Sequence, residues 1–567
     1  MGKDLNGEIY NFQELRNELI SSGHRFKTKT DTETIIHLYE EKGENFPKYL
    51  RGMFAIAIWD SKKKRLILAR DRMGKKPLFY SFTNEFLSFS SELNSLISFP
   101  KIKKEIDLTG VDAYLTLQYI PAPLTIYKDI KKLEPASILI FENNKIEIKK
   151  YWEMSVENES IKMSLRDIKE ELYNLLYEST KLRMISDVPL GAFLSGGIDS
   201  SIIVALMAKI SDKPVKTFSI GFKEEEFSEL SYAREIAKLY STDHTEFIVE
   251  AKMSEILPTL ITHYGEPYAD SSALPSYYVS RETRKAVTVA LNGDGGDENF
   301  GGYLRYIATK IAFYFQIIPK WTKELGLLGL RPFGEKTPAP FNILWKARKF
   351  LQAASNSSIE DVYLSTICYF RIAEKNNILS LDFQNTVKEN LNYAQKYIHS
   401  LFANVKHKDI INQLSYVDLN SYLPHCLMTK MDIASMANSL ECRSPFLDHK
   451  VIEFAASLNG SIKLKGFSRT KWILKETFRD LLPPKIYKRG KMGFGIPLGP
   501  WFRGEMKKYW AETCLNEKSL GRGYFKKEEI FRLWDEHQSG KRDYGYKLWA
   551  LLMLELWHQK FMPDYKL

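Results

Sequence analysis

Cysteine is scarce in this chain of 567 residues, which has four cysteines and no Cys-x-x-Cys pair. That pattern excludes a zinc ribbon and a disulfide framework, and it favours free, packed thiols in a reducing compartment. Long apolar runs are also missing: none reaches the roughly 18 residues of a membrane span, and the first residues lack the apolar core of a signal peptide. These absences predict a cytoplasmic protein with no membrane partner.

Acidic residues are fewer than basic ones, which gives a net charge of +11. A nucleic-acid partner, a nucleotide ligand and a solvated basic surface are all compatible with this balance. Residues 461–491 alone hold ten Lys and Arg against two acidic residues. Because the charge is concentrated there, the sequence favours a local anion site over nucleic acid. With 44% hydrophobic residues the chain can bury a large core, and its length allows about two to four domains.

Residues 1–150 show the pattern of a separate α+β unit. Hydrophobic periodicity predicts helices over 10–19 and 32–41, and strands over 53–59, 65–69, 78–82 and 86–89. The first two strands flank the charged turn 60–64, as in a hairpin. The segment 120–152 has short strand patterns and turn residues but no helical pattern, and we interpret it as a connector that wraps onto the next domain.

From residue 163 onward, strand and helix patterns alternate. The predicted elements are strands over 188–194, 215–222, 245–249 and 286–291, with helices over 199–209 and 228–240 between them. This alternation predicts a parallel sheet covered by helices, with ligands beyond the carboxyl ends of its strands. Beyond about residue 305 the pattern is mostly helical.

The segment Leu194-Ser195-Gly196-Gly197-Ile198-Asp199-Ser200-Ser201 leads from an apolar strand into a helix. Backbone N–H groups at such a helix start, unobstructed at the two glycines, form a cradle for phosphate. The Gly-Lys-Ser/Thr ending of a Walker A loop is missing. Asp199 instead lies in the first helical turn, where a carboxylate can hold Mg²⁺. An ordinary glycine-rich turn is the alternative interpretation.

A second loop, residues 291–303, combines five glycines with three acidic residues. Asp297 is a second candidate ligand for Mg²⁺, and Asp294 is a candidate to act on a proton or bind an amine. A calcium site or a solvated turn would suit the composition equally well. Because the loop lacks EF-hand spacing and follows a buried strand of the same sheet, a catalytic role is favoured.

Residues 194–201 resemble the pyrophosphate loop of the ATP pyrophosphatase superfamily, whose members cleave ATP between the α and β phosphates. Residues 217–222 resemble the adenine-contacting strand of that superfamily, and residues 291–303 resemble a loop of the asparagine synthetases. Residues 430–448 are similar to the asparagine synthetase signature, although Asp432 and Glu441 are equally compatible with internal ion pairs. In residues 487–497 the resemblance places Lys491 at the active-site lysine, with a solvated basic face as the alternative.

The first 150 residues resemble the glutaminase domain of the same family. Residues 6–11, 30–33 and 69–78 match its motifs. By this resemblance Asn6, Gly7 and Glu8 belong to the glutamine site, where Asn6 and Gly7 help to form an oxyanion hole, and Asp31 binds the α-amino group of glutamine. The family uses an N-terminal cysteine as nucleophile. No cysteine precedes Cys368 here, so we expect a truncated glutaminase domain without glutamine hydrolysis.

The resemblance implies an α/β protein of two domains. An incomplete α+β N-terminal-nucleophile glutaminase-like domain with its connector occupies 1–150, and a parallel-sheet ATP-pyrophosphatase domain, similar to the adenine nucleotide α-hydrolases, occupies 151–567 with a helical extension. The expected reaction is amidation of aspartate to asparagine through β-aspartyl-AMP, with ATP and Mg²⁺, and with ammonia or glutamine-derived ammonia as nitrogen source. The resemblance also implies a homodimer.

The resemblance also implies a role for each site residue. Asp294 and Lys491 are the catalytic candidates, and Asp199 and Asp297 are the metal ligands. The ATP-binding candidates are Leu194, Ser195, Gly196, Gly197, Asp199, Ser200, Ile220, Asn292 and Gly293. An amidating or cyclising ligase for another carboxylate is the first alternative, mildly favoured by Asp294 because many family members have glutamate there. An inactive paralogue and a tRNA-modifying ATP pyrophosphatase are the others.

Overall fold

The computed structural model describes residues 2–83, 86–154, 162–222, 229–249, 253–316, 318–332, 344, 348, 358–490 and 495–567. Strands β1 to β13 are Gly2–Ile9, Gly52–Asp60, Arg65–Arg70, Phe79–Phe82, Leu87–Ser90, Lys131–Lys132, Ser137–Glu142, Lys145–Lys150, Leu190–Phe193, Lys216–Phe222, Asp243–Val249, Val289–Leu291 and Glu441–Arg443. Helices α1 to α12 are Phe12–Ser21, Asp31–Lys42, Leu93–Ile97, Leu108–Leu117, Leu165–Arg183, Ile198–Ile210, Leu230–Leu239, Met253–Tyr264, Ala273–Arg284, Gly296–Phe300, Leu304–Gln316 and Lys320–Gly329.

The chain beyond residue 358 adds further short helices. They are Ile359–Ile367, Ile372–Ile378, Leu381–Val387, Tyr393–Ala403, Ile410–Asn420, Thr429–Met436, His449–Ser457, Gly460–Lys463, Trp472–Thr477, Pro484–Lys488, Leu498–Arg503, Lys507–Cys514, Glu517–Leu520, Lys527–Gln538 and Gly545–Phe561. The predicted helical character of this part is confirmed for the described residues. No helix among them is both long and apolar enough to cross a membrane.

The first 150 residues fold around an antiparallel sheet with strand order β1-β2-β3-β7-β8. Strand β2 alternates large and small residues. Phe54, Ile56 and Ile58 pack beneath helices α1 and α2, whereas Ala55 and Ala57 face the small sheet β5-β4-β6. The unit is therefore a helix layer on two sheets, and the small alanines allow the sheets to approach closely.

The predicted hairpins are confirmed, since β2 pairs with β3 and β4 pairs with β5, both antiparallel. The Asp60 carboxylate closes the first turn by accepting hydrogen bonds from the amides of Lys62 and Lys63, at 3.0 and 3.1 Å. The interpretation of 120–152 as a connector is wrong for its second half. Strand β7 pairs with β3 and with β8, so these residues complete the first sheet.

The predicted parallel sheet is also confirmed, with strand order β11-β10-β9-β12-β13. Strands β9 and β12 are shorter than predicted, because the pattern does not mark where strand pairing stops. From β9 the chain moves outward through β10 to β11, and it then returns to place β12 on the other side of β9. The direction of winding reverses between β9 and β12, and such a switch point leaves a crevice at the carboxyl ends of the strands.

A further hydrophobic core joins helices of the second half of the chain to strand β4 of the small sheet and to strand β10 of the parallel sheet. Helix α4 takes part in it: the Tyr114 hydroxyl donates a hydrogen bond to the carbonyl of Ala550 at 2.8 Å. Helix α8 contacts the C-terminal helix Gly545–Phe561, and the carbonyl of Gly265, just after α8, accepts a hydrogen bond from the Trp557 indole at 2.9 Å. Gln118, just after α4, and Tyr546 of the C-terminal helix line the cavity described below.

Candidate active site

A cavity of about 550 Å³ opens at the carboxyl ends of β9, β10 and β12. The predicted site residues that line it are Leu194, Ser195, Gly197, Asp199, Ser200, Ile220, Asn292, Gly293, Asp294 and Asp297. The glycine-rich loop and the acidic loop, which the sequence suggested separately, therefore meet in one place. Gly196 adjoins the cavity with its backbone and is outside the lining set.

The glycine-rich loop takes a sharp turn before helix α6. Gly196 has a φ of +68°, and a Cβ there would lie 2.5 Å from the Tyr232 backbone, so no larger residue fits. The Ser195 hydroxyl accepts a hydrogen bond from the Gly197 amide at 3.2 Å and lies 3.1 Å from the Ser200 hydroxyl. The helix start thus presents amides and hydroxyls to the cavity, as an anion site requires.

The two predicted metal ligands converge. The ammonium of Lys471 lies 2.6 Å from Oδ1 of Asp297 and also forms an ion pair with Asp199. Glycines make room for these carboxylates: a Cβ on Gly296 would lie 2.5 Å from Asp199 Oδ1, and one on Gly302 would lie 1.9 Å from Asp297 Oδ1. Two carboxylates that share one cation beside a phosphate cradle suit the hard oxygen ligands of Mg²⁺.

Sequence reasoning missed Lys471. The available signal was the basic segment 461–491, but charge density alone does not show which lysine turns inward. Lys475 and Arg489 of the same segment also line the cavity, and burial, followed by Lys471, lowers the pKa of Lys475. Lys485 instead pairs with Glu235 at 2.7 Å at the surface. The basic segment therefore contributes some residues to the cavity lining and others to the protein surface.

Of the two predicted catalytic residues, the structure describes Asp294 and does not describe Lys491. Asp294 is held at the cavity wall, because its Oδ2 accepts a hydrogen bond from the Asn292 amide side chain at 2.8 Å. Its own backbone amide donates to Oδ1 of Asn292 at 3.3 Å. This reciprocal pair fixes the direction of the carboxylate. Lys491 lies outside the described residues, so its predicted role is not addressed by the structure.

Two further pairs of ionisable residues line the cavity, Glu298 with Tyr303 and Asp270 with Lys430. No distinctive sequence pattern pointed to either pair. Burial and the neighbouring Asp297 raise the pKa of Glu298, whose carboxylate accepts a hydrogen bond from the Tyr303 hydroxyl. Lys430 lies 3.7 Å from Asp270. Although burial opposes the effect, Asp270 raises the pKa of Lys430. Neither pair follows from periodicity, because tertiary packing brings the partners together.

The predicted glutamine-site residues lie together elsewhere, near the end of β1. Gly7 has a φ of +141°, and a Cβ there would lie 2.0 Å from the carbonyl oxygen of Met53, so glycine is required. Oδ2 of Asp31 accepts a hydrogen bond from the amide of Ile9 at 3.1 Å. Asn6 and Glu8 flank Gly7 on the same strand. None of the four predicted residues lines the large cavity.

Strand β13 and the residue after it connect this group with Asn292, which lines the cavity. The Arg443 guanidinium lies 3.4 Å from the carboxylate of Glu8, and its backbone carbonyl accepts a hydrogen bond from the Asn292 amide at 2.9 Å. The Ser444 hydroxyl donates to Oδ1 of Asn292 at 2.5 Å and accepts from the Lys75 ammonium at 3.0 Å. Contacts thus run from the first sheet to the residue that orients Asp294.

Asp432 and Glu441, two of the three acidic residues in the signature segment 430–448, form ion pairs. Glu441 pairs with Arg443 at 2.6 Å, and Asp432 pairs with Lys76 of the first half at 2.7 Å. Neither carboxylate lines the cavity. Glu441 therefore forms an ion pair within the segment, as one of the two interpretations predicted, whereas the partner of Asp432 lies outside the segment.

Glu8 makes the stability of the protein depend on pH. Burial, the largest effect, raises the pKa of Glu8 to about 7 from an ordinary value of 4.5, and Arg443 only partly opposes this. The folded state therefore binds the proton more tightly than the unfolded chain, so the Glu8 contribution to stability is present below about pH 4.5 and is lost as the pH rises through 7. We expect Glu8→Gln to abolish this loss.

Urea unfolding of wild type and Glu8→Gln across this pH range measures the effect. The stability of the variant relative to wild type should increase with pH, because glutamine stays neutral. Glu14→Gln, at an exposed position on α1, is the control and should follow wild type at every pH. Parallel curves for wild type and Glu8→Gln would contradict the assignment.

Comparison with known proteins agrees with this geometry. The sequence pattern described as asparagine synthase matches residues 171–559, and the pattern described as glutamine amidotransferase domain matches residues 4–152. The chain belongs to the asparagine synthase family. The predictions of this family, of a ligase and of an α/β fold with a glutaminase-like first part are confirmed.

Relatives in this family cover nearly the whole chain. An asparagine synthetase (glutamine-hydrolysing) of Bacillus subtilis is 34% identical over 99% of this chain and 86% of its own length. A putative asparagine synthetase of Mycobacterium tuberculosis is 31% identical over 98% of this chain and 84% of its own. A more distant relative, the amidase chyE of Penicillium rubens, is 25% identical over 91% and 80%. The family thus includes relatives that are named for different activities.

Proposed function

We propose that this enzyme converts aspartate to asparagine, with ATP as the energy source and with AMP and pyrophosphate as products. The convergence of Asp199, Asp297 and the Ser195–Gly197 cradle on one cavity supports this proposal above all. A phosphate site and a divalent-cation site side by side are what cleavage of a nucleotide between its α and β phosphates requires. The names of the relatives support aspartate as the acceptor.

The first step forms an acyl-adenylate. An oxygen of the β-carboxylate of aspartate attacks the α-phosphorus of ATP, and the bond from that phosphorus to the bridging oxygen breaks. Pyrophosphate leaves and β-aspartyl-AMP remains. The amides of the glycine-rich loop and the ammonium of Lys471 lie where they would stabilise the charge on pyrophosphate, and Mg²⁺ held by Asp199 and Asp297 would neutralise phosphate oxygens. Lys491 is proposed to stabilise the α-phosphate.

The second step forms the amide. The nitrogen of ammonia attacks the acyl carbon, the bond to the phosphate oxygen breaks, and AMP leaves as a proton departs from nitrogen. Asp294 lies at the cavity wall with its carboxylate fixed by Asn292, and we assign it the orientation of ammonia or the acceptance of that proton. Leu194, Ile220 and Gly293 would line the nucleotide site. The cytoplasmic location and the homodimer stay predictions.

We propose ammonia as the nitrogen source, because none of the four cysteines is suited to act as a nucleophile. A cysteine nucleophile acts as the thiolate. Burial raises the pKa of Cys368 to about 11 and that of Cys442 to about 12, and it raises the pKa of Cys426 and Cys514 well above the ordinary range. All four are free thiols, as predicted, and all four are poor candidates for attack on glutamine.

A different carboxylate acceptor is the second candidate function. Two observations favour it: the acidic loop carries Asp294 where many family members have glutamate, and a relative named as an amidase matches most of the chain. This alternative keeps the adenylation step and changes only the compound that enters the cavity. The acceptor therefore has to be tested separately from ATP cleavage.

The decisive assay measures AMP and pyrophosphate release from Mg-ATP with aspartate, together with ammonium, with glutamine or with neither. We expect release, and asparagine by chromatography, with ammonium and not with glutamine. Release with other carboxylates and not with aspartate would favour the second candidate. If glutamine alone sustains the reaction, the proposal about the nitrogen source is wrong.

A further inference from the structure

Two histidines and a glutamate meet at one corner of the first half, far in sequence from the cavity residues. His24 lies just after α1, and His37 and Glu40 lie on α2. Nδ1 of His24 is 3.1 Å from Nδ1 of His37, and Oε2 of Glu40 is 2.8 Å from His37 Nδ1 and 3.5 Å from His24 Nδ1. Three possible metal ligands, one from each side chain, thus form a small triangle.

The size of this triangle matches one face of a tetrahedral zinc site. Zinc binds imidazole nitrogen and carboxylate oxygen at about 2.0–2.2 Å, so adjacent ligand atoms in a tetrahedron are about 3.3–3.6 Å apart. The sides observed here, from 2.8 to 3.5 Å, need only small side-chain movements to reach that spacing. Imidazole ligands suit zinc, whereas Mg²⁺ prefers six oxygen ligands.

The surroundings of the histidines also fit a metal site. A metal-bound imidazole usually donates its other ring N–H to a carboxylate, which fixes the ring and raises its basicity. Nε2 of His24 lies 2.9 Å from Oε1 of Glu41, and Nε2 of His37 lies 3.8 Å from Oε1 of Glu33. In both rings the Nδ1 atom faces the triangle while the other nitrogen faces a carboxylate.

We propose that His24, His37 and Glu40 bind a zinc ion, with water as the fourth ligand. The ion would clamp the segment after α1 onto α2, whose first residue is Asp31. Glu33 already accepts a hydrogen bond from the amide of Lys27 at 2.7 Å in that segment, and the metal would add a second tie. The proposed zinc site is therefore structural, and it steadies the position of Asp31 beside β1.

Titration of the metal-free full-length chain with Zn²⁺ by calorimetry tests the proposal. Excess Mg²⁺ is present throughout, to occupy the sites that prefer oxygen ligands. We expect one zinc per chain, and a tetrahedral visible spectrum when Co²⁺ replaces it. His24→Asn and His37→Asn should lose both signals, and Glu41→Gln should weaken zinc binding about 10- to 100-fold.

His399→Asn is the matched control, because His399 pairs with one carboxylate, that of Asp361 at 2.9 Å. This variant should bind zinc as wild type does. Circular dichroism verifies that each variant folds. Glu40→Gln, at an exposed helical position, provides a ligand variant if a histidine variant fails to fold. Failure of wild type to bind zinc, or equal binding by wild type and the ligand variants, would overturn the proposal.

Discussion

Replacing Asp199 by asparagine is expected to lower the rate of AMP and pyrophosphate release by about 10³-fold. A metal that neutralises phosphate oxygens contributes several kcal/mol to the transition state, and each 1.4 kcal/mol is about tenfold in rate. Asparagine keeps the size of the side chain and removes its charge. The assay is aspartate-dependent AMP release from Mg-ATP, with folding verified by thermal unfolding.

Replacement of Asp297, the other predicted metal ligand, tests the same site. Asp297→Asn should show a similar loss, and the double variant should lose little more than either single variant, because both residues act on one ion. Glu235→Gln, which removes a surface carboxylate paired with Lys485, is the control and should retain wild-type turnover. Wild-type AMP formation by Asp199→Asn would remove Asp199 from the proposed metal site.

Asp448→Asn is expected to destabilise the protein by about 3–5 kcal/mol, since breaking a buried ion pair leaves uncompensated charges. Its Oδ2 lies 3.0 Å from guanidinium nitrogens of both Arg51 and Arg183, and its side chain is fully buried. Although burial alone would raise it, these arginines hold the pKa of Asp448 well below its ordinary range. Urea unfolding measures the loss.

The matched control is an ion pair at the surface. Asp564 pairs with Lys518 at 3.0 Å, but its side chain is 92% exposed, so Asp564→Asn should change the free energy of unfolding by less than about 1 kcal/mol. Because Arg51 belongs to the first half and Asp448 to the second, we also expect a protease to degrade Asp448→Asn faster than Asp564→Asn. Equal stability of the two variants would show that the arginines find other partners.

Most of the candidate active site followed from the sequence, because its motifs are local. A strand, a Gly-Gly turn and a helix start are encoded within eight residues at 194–201, and the same holds for the acidic loop at 291–303. The parallel sheet required one more step, namely the alternation of strand and helix patterns. Segment 120–152 was misjudged because β7 pairs with β3, a strand about 70 residues earlier, and local patterns do not report such partners.

The sequence by itself determined the family and the two loops that meet at the cavity, since each depends on neighbours along the chain. Only the tertiary structure decided which lysine joins the carboxylates: Lys471 meets Asp199 across 272 residues. It also decided that Arg51 meets Asp448 across 397 residues and that His24 faces His37. Such pairs arise from packing between elements, and packing is not periodic in the sequence.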